Sequence, residues 1–300
     1  MAVYKKTYRP YEGALTPSWK RCLAIPRYAL EDLRRSRFLN IFYIASFAYP
    51  LIAAIIIYLE HNLVALRALN AERVAAIVSI DAGFFLSFLG WQSMLALFLA
   101  AFIGPGLVSP DLANNALSLY LARPFSRVEY VLGKAGVLLL LMSLMTWVPG
   151  LLLFAYQGYL EGQGWMAANT RIAEGVFLGA WIWILCLSLL ALALSAWVKW
   201  KPAAGALMFG VFFVASGFGR AVNQVEDTKW GLLLSIPQVV GTVWAWLFEG
   251  NNPQSNGAVF FRLDKTAEIP IAACWATLAA LCLACLYMLS RKIRGAEVVK

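Results

Sequence analysis

Residues 232–248, LLLSIPQVVGTVWAWLF (Leu232–Phe248), decide how many times this 300-residue chain crosses a membrane. The run is apolar enough to span. At 17 residues, however, it sits at the lower limit of the roughly 17–25 that a bilayer requires, and Pro237, Gln238 and Gly241 interrupt it. Six other apolar runs have better membrane length: Phe38–Leu59, Phe84–Ile103, Val131–Tyr156, Ile172–Val198, Ala203–Gly219 and Ile269–Leu289. Each must close its backbone hydrogen bonds within itself, so each reads as a helix.

Charge settles the count. With six spans and the N-terminus inside, the inner segments 1–37, 104–134, 199–202 and 290–300 hold 18 of the 25 Lys and Arg residues and 6 of the 16 Asp and Glu. That is a net +12 inside and −3 outside. A seventh crossing at Leu232–Phe248 would send Arg291, Lys292 and Arg294 to the outer side, against the tendency of basic residues to stay inside. The segment is therefore expected to be re-entrant or to lie in the outer interface, where Trp230, Trp244 and Trp246 suit the headgroup level.

Composition agrees. The chain is 61% hydrophobic and 14% charged, with mean hydropathy +0.69. Soluble domains run at roughly 45–50% apolar and about 25% charged. The first apolar run begins near Phe38, too late and too long for a signal peptide. Cys186, Cys274, Cys282 and Cys285 fall within apolar runs and read as buried thiols rather than a disulfide framework, as does Cys22 outside them. Trp165, Trp181, Trp183, Trp244 and Trp246 mostly fall where an outer interfacial belt would be.

Ahead of the first run, residues 1–37 form a cytoplasmic arm. From Pro17 to Arg37, Trp19, Leu23, Tyr28, Leu30 and Leu33 alternate with Lys20, Arg21, Arg27, Arg34, Arg35 and Arg37. That pattern predicts a basic amphipathic helix on the inner surface, interrupted near Pro26. The remainder, 38–300, is one six-helix domain with an outer segment at 220–268.

The inner loop at 104–130 carries the most local specification. Gly104-Pro105-Gly106 is expected to break the second span. Ser109 then caps a short helix, with Pro110 in its first position and Asp111 in its first turn. Leu112, Ala116, Leu119 and Tyr120 share one face of it, and Asn114, Asn115 and Ser118 the other. Arg123-Pro124 ends it, and Ser126 with Glu129 makes a capping box for the next helix. A plain hairpin needs only a few polar residues, so this loop reads as a docking helix for a cytoplasmic partner.

The run Ser109–Lys134, SPDLANNALSLYLARPFSRVEYVLGK, resembles the second-to-third-span loop of ABC-2-type permeases, the membrane subunits of ATP-binding-cassette exporters. The likeness lies in an acidic residue opening the helix, a Leu-rich turn, then Arg-Pro, Ser-Arg and Gly-Lys; Asp111, Arg123, Pro124, Arg127, Gly133 and Lys134 hold the matching positions. Where many members have a basic cluster after the acidic residue, this chain has Leu112-Ala113-Asn114-Asn115. The resemblance implies a coupling helix seated in an ATPase subunit, with Ser109, Asp111, Leu112, Asn115, Leu119, Arg123, Pro124 and Arg127 as the contact set. It further implies a homodimer or heterodimer of permeases in the cytoplasmic (inner) membrane, both termini cytoplasmic, with ATP and Mg held by the partner ATPase and no cofactor held by this chain.

Other chemistry has little to stand on in the sequence. There is no Gly-x-x-x-x-Gly-Lys-Ser/Thr loop to cradle phosphates. The one histidine, His61, has no Cys or carboxylate cluster beside it in sequence, and Ser79 with Asp81 reads as loop capping. Gln92 beside Trp91, together with Trp244 and Trp246, could line a substrate path, although hydrogen bonding between helices is the ordinary use of such a Gln. The rival readings are a membrane scaffold, a lipid-acting enzyme or an ion-coupled carrier. An enzyme needs clustered acid/base or nucleophilic residues and a carrier needs buried ionisable ones, and neither set stands out. Nucleic acid is not an expected partner; membrane lipid is.

Overall fold

The computed structural model describes residues 26–31, 33–62, 79–114, 127–162, 164–198, 200–249 and 269–293. Among these there is no strand. Six helical stretches are long and apolar enough to cross a bilayer: Arg37–Glu60, Ala82–Asp111, Arg127–Glu161, Thr170–Trp197, Lys201–Glu226 and Ile271–Lys292, the first to sixth spans hereafter. This fits a multi-pass membrane protein. Each contains the core of a run expected from the sequence.

Burial sorts the spans into a centre and a periphery. In the second, third and fourth, 67%, 56% and 67% of the most apolar window is buried, against 22%, 28% and 17% in the first, fifth and sixth. The peripheral spans turn Ile41, Ile44, Leu51 and Ile55, Phe213, Val214 and Phe218, and Leu283 and Leu286 outward. Water would penalise such a surface, whereas acyl chains accept it.

Three spans contain internal prolines, and the bundle repairs two of them from a neighbouring helix. Pro50 lies in the first turn of Ala48–Glu60, the second half of the first span, and has no N–H for the carbonyl of Ser46. The Gln92 amide of the second span donates to that carbonyl at 3.1 Å. The third span changes helix at Thr146, ahead of Pro149.

The second span departs from expectation. Gly104-Pro105-Gly106 does not end it: the helix is continuous over Ala82–Ala113, with Pro105 and Pro110 inside it. An interior proline costs a helix about 3 kcal/mol, and the fourth span supplies a hydroxyl that offsets part of this. The Ser195 Oγ–H donates to the Pro105 carbonyl (3.1 Å) and accepts from the N–H groups of Val108 (3.3 Å) and Ser109 (2.9 Å). Pro105 C=O and Ser109 N–H are the pair that an uninterrupted ladder would join directly, so the hydroxyl sits within the ladder, a recognised cause of helix bending. Ser109 is correspondingly not an N-cap. It is buried, and its Oγ donates to the Val198 carbonyl at 3.0 Å.

Small residues let the three helices meet at this joint. A Cβ on Gly104 would stand 2.6 Å from the Ala191 Cβ, and one on Gly205 would stand 2.8 Å from the Ala101 carbonyl oxygen. That carbonyl is the acceptor left without its usual donor by Pro105. Ser195→Ala removes the partner of the Pro105 carbonyl and of the Val108 and Ser109 N–H groups and should cost about 1–3 kcal/mol, the penalty for unsatisfied buried polar groups. Thermal unfolding of the purified chain in detergent, against a Ser290→Ala control at the exposed end of the sixth span, checks this.

After the fifth span the chain turns at Asp227 (φ 48°) and packs back along it. Gly231 lies against Gly219, its N–H donates to Asn223 Oδ1 (2.7 Å), and Ser235 Oγ donates to Ser216 Oγ (2.9 Å). The helix Ile236–Glu249 then follows the fourth span toward its beginning: Trp244 Nε1–H donates to the Gly179 carbonyl (2.9 Å), Phe248 packs on Gly175, and Arg171 donates to the carbonyls of Trp246 and Leu247, both at 3.0 Å. Trp183 and Trp244 are fully buried and meet edge-on with centroids 6.1 Å apart. They belong to the core, not to an interfacial belt, because each indole N–H finds a backbone carbonyl inside the bundle, Trp183 at Ser93 (2.9 Å).

Candidate functional site

Of the eight residues expected to contact a partner, Asn115, Leu119, Arg123 and Pro124 lie outside the described residues, as do the rest of 115–126 with the Ser126 cap. The structure places the others on the two helices that flank this stretch. Asp111 is in the last turn of the second-span helix, followed by Leu112 in the same helix. Arg127 is exposed at the first residue of the third span, and Glu129 occupies its first turn. The expected loop 104–130 is thus narrower: its first ten residues continue one helix and its last four begin the next.

Asp111 is the centre of the site. Its Oδ2 receives Lys134 Nζ at 2.8 Å and the Tyr130 hydroxyl at 2.8 Å. Lys134 also lies over the Tyr130 ring, 5.7 Å from its centroid. Tyr130 is fully buried, and the Lys134 and Asp111 side chains are only 10% and 16% exposed. The third span delivers both partners because Tyr130 and Lys134 are four residues apart on one helix face. The spacing is local to that helix, but the acceptor comes from the other side of the loop, so the triad clamps the second span to the third.

The helices that the clamp joins are longer than a bilayer crossing needs. At 1.5 Å per residue the 35-residue third span is roughly 52 Å long and the 30-residue second span roughly 45 Å, against about 30 Å of hydrocarbon. Moving inward from the clamp along the second span, the chain meets Ser109, then the Ser195 hydroxyl at Pro105, then the Gly104–Ala191 contact. A displacement applied beyond Asp111 therefore meets an ion pair joining spans two and three, then a hydroxyl bridge joining spans two and four. Sequence reasoning singled out Asp111 and Lys134 separately and missed that they pair; a carboxylate on the second-span flank with a lysine past the first turn of the third span was the available signal. It gave Tyr130 and Ser195 no part in this site.

The four candidate path residues stand in different surroundings. Trp91 is 42% exposed and packs on Tyr49 at 6.0 Å. Gln92 is buried and occupied with the Ser46 carbonyl, while its Oε1 has no hydrogen-bond partner. Trp244 is in the core, and Trp246 is half-buried above it. Asp81 acts as expected: it accepts from Ser79 Oγ (3.1 Å) and caps the second span through the Phe84 N–H (3.0 Å). Among the described residues no group of His, Cys, Asp and Glu is arranged to hold a metal ion. Neither a family model nor a curated protein matches the chain.

Proposed function

We propose that this chain is the membrane subunit of an ATP-driven exporter of the ABC-2 permease type, moved by a separate ATP-binding-cassette ATPase that docks on the stretch between the second and third spans. The observation that carries the reading is the clamped hairpin: two helices longer than the bilayer, tied at one end by the buried Asp111–Lys134–Tyr130 set, enclosing the run that resembles a coupling loop. A chain without a phosphate-cradling loop of its own needs such a mechanical input if it is to use ATP.

Other features support the same layout. Residues 26–31 and 33–34 are helical; Ala29, Leu30 and Leu33 are half-buried, while Arg27, Tyr28, Arg34 and Arg35 are exposed. Pro26 lies against Gly136 of the third span, near the level of the clamp, as an elbow helix on the inner surface would. The return of residues 230–249 along the fifth and fourth spans favours a re-entrant segment entering from the opposite end. The excess of Lys and Arg on the clamp side favours a cytoplasmic clamp and cytoplasmic termini, and the resemblance favours the cytoplasmic membrane. Two such chains, identical or related, with two ATPases and surrounding lipid make the working unit. ATP and Mg belong to the ATPases, and the substrate is one that a charge-poor bundle admits.

The mechanism in this reading is transmission. Closure of the ATPase pair displaces the hairpin tip. The clamp makes spans two and three move together, and the Ser195 bridge passes the motion to span four, which is as enclosed as span two. Asp111→Asn and Arg123→Ala should reduce both co-purification of the ATPase and ATP turnover in native membranes. Pairing and turnover equal to wild type in both variants would refute the coupling role.

A further inference from the structure

We propose that His61, Glu161 and Glu60 form a proton-operated latch that closes the first span onto the third at the end of the bundle remote from Asp111. The inference is independent of the ATPase reading. His61 directly follows the first span. Its Nδ1 is 3.0 Å from the Ile57 carbonyl and its Nε2 is 2.7 Å from Glu161 Oε2, at the last residue of the third span. A carbonyl can only accept, so Nδ1 carries a hydrogen. A neutral ring in that tautomer would then point a bare Nε2 lone pair at a carboxylate oxygen. The contact is attractive only when one further proton lies between the two, giving an imidazolium facing a carboxylate or an imidazole facing a carboxylic acid.

The groups around it hold that proton. From the third span come Glu161 and Gln157, whose amide approaches Glu161 Oε2 at 3.5 Å. From its own helix come Glu60, whose buried Oε2 has no hydrogen-bond partner, and Tyr58, whose hydroxyl is engaged by Asn62 at 2.7 Å. Burial alone would lower the imidazole pKa. The hydrogen bonds to Glu161 and Ile57 and the charges of Glu161 and Glu60 outweigh it, and the net shift is upward from 6.5. A folded-state pKa raised above the unfolded value stabilises the contact fully below the unfolded pKa, and that stabilisation is lost as pH rises through the folded pKa. The latch is therefore closed in acid and loosened by alkali. It matters at this place because the half-span Ala48–Glu60 buries only Pro50, Ala53 and Ile57 of its own side chains.

The chain has a single histidine, so 15N-histidine labelling of the full chain in nanodiscs gives one unambiguous titration, read together with amide exchange of residues 57–62 corrected for intrinsic pH dependence. The expected result is a midpoint above 6.5, lowered by Glu161→Gln and, with the His61–Glu161 contact intact, by Glu60→Gln, and exchange that quickens as pH passes that midpoint in wild type but not in Glu161→Gln. A wild-type midpoint at or below 6.5, a midpoint insensitive to Glu161→Gln, or exchange that ignores the titration overturns the latch.

Discussion

Lys134→Met in the intact chain is expected to lower stability by about 3–5 kcal/mol, the usual consequence of stripping one partner from a buried ion pair. The size follows from where the charges sit. With both side chains more than four-fifths covered, Asp111 would keep, among the described residues, only the Tyr130 hydroxyl as a donor, and a carboxylate so placed is poorly compensated. The double variant Asp111→Asn/Lys134→Met should recover most of the loss, since it is the uncompensated charge rather than the absent pair that is costly. A double-mutant cycle on unfolding in detergent measures the coupling. A single-variant loss below about 1 kcal/mol would be the behaviour of a solvated surface pair and would remove the clamp from the mechanism.

Gly104→Ala is the second large expectation. Its new Cβ would meet the Ala191 Cβ at 2.6 Å, closer than carbon atoms pack, and the opposing atom is fixed to backbone and cannot swing away. The second and fourth spans must separate, for a destabilisation of about 1–3 kcal/mol. Ala191→Gly in the same chain should restore much of it by returning the space. Gly106, two residues on in the same helix, has nothing within 4 Å of its would-be Cβ. Gly106→Ala should thus be neutral, or stabilising by up to about 1 kcal/mol through helix propensity. Different outcomes at two glycines two positions apart test the close approach itself and not glycine chemistry. Thermal unfolding of the three variants reads the comparison.

How far the sequence reaches depends on whether the deciding interaction is local. The spans were legible because apolar length is a property of each run alone: Ile172–Val198 was expected and Thr170–Trp197 is found. Capping by Asp81 was legible for the same reason. The continuity of the second span through Pro105 was not, because the hydroxyl that makes it tolerable comes from Ser195, 90 residues away. Gly104 looked like a helix breaker and is instead the room that Ala191 needs. Trp183 and Trp244 carry the composition of an interfacial belt, but their N–H groups are satisfied by Ser93 and Gly179 carbonyls inside the bundle, which only the tertiary arrangement reveals. In the site, Asp111 and Lys134 were each visible as notable residues; their pairing across the loop, with Tyr130 beneath, needed the helices placed. His61 had no partner in sequence, and its partner proves to be Glu161, 100 positions on.

The central claim is that an ATP-binding-cassette ATPase seats on the stretch that Asp111 and Lys134 hold together at its base. A photo-crosslinking amino acid at Leu119, with the same group at exposed Tyr159 on the opposite end of the third span as control, tests this in native membranes. The expected result is a covalent adduct between position 119 and an ATP-binding-cassette subunit, absent at position 159. Adducts at position 119 to lipid alone, or the same adducts from both positions, would contradict it.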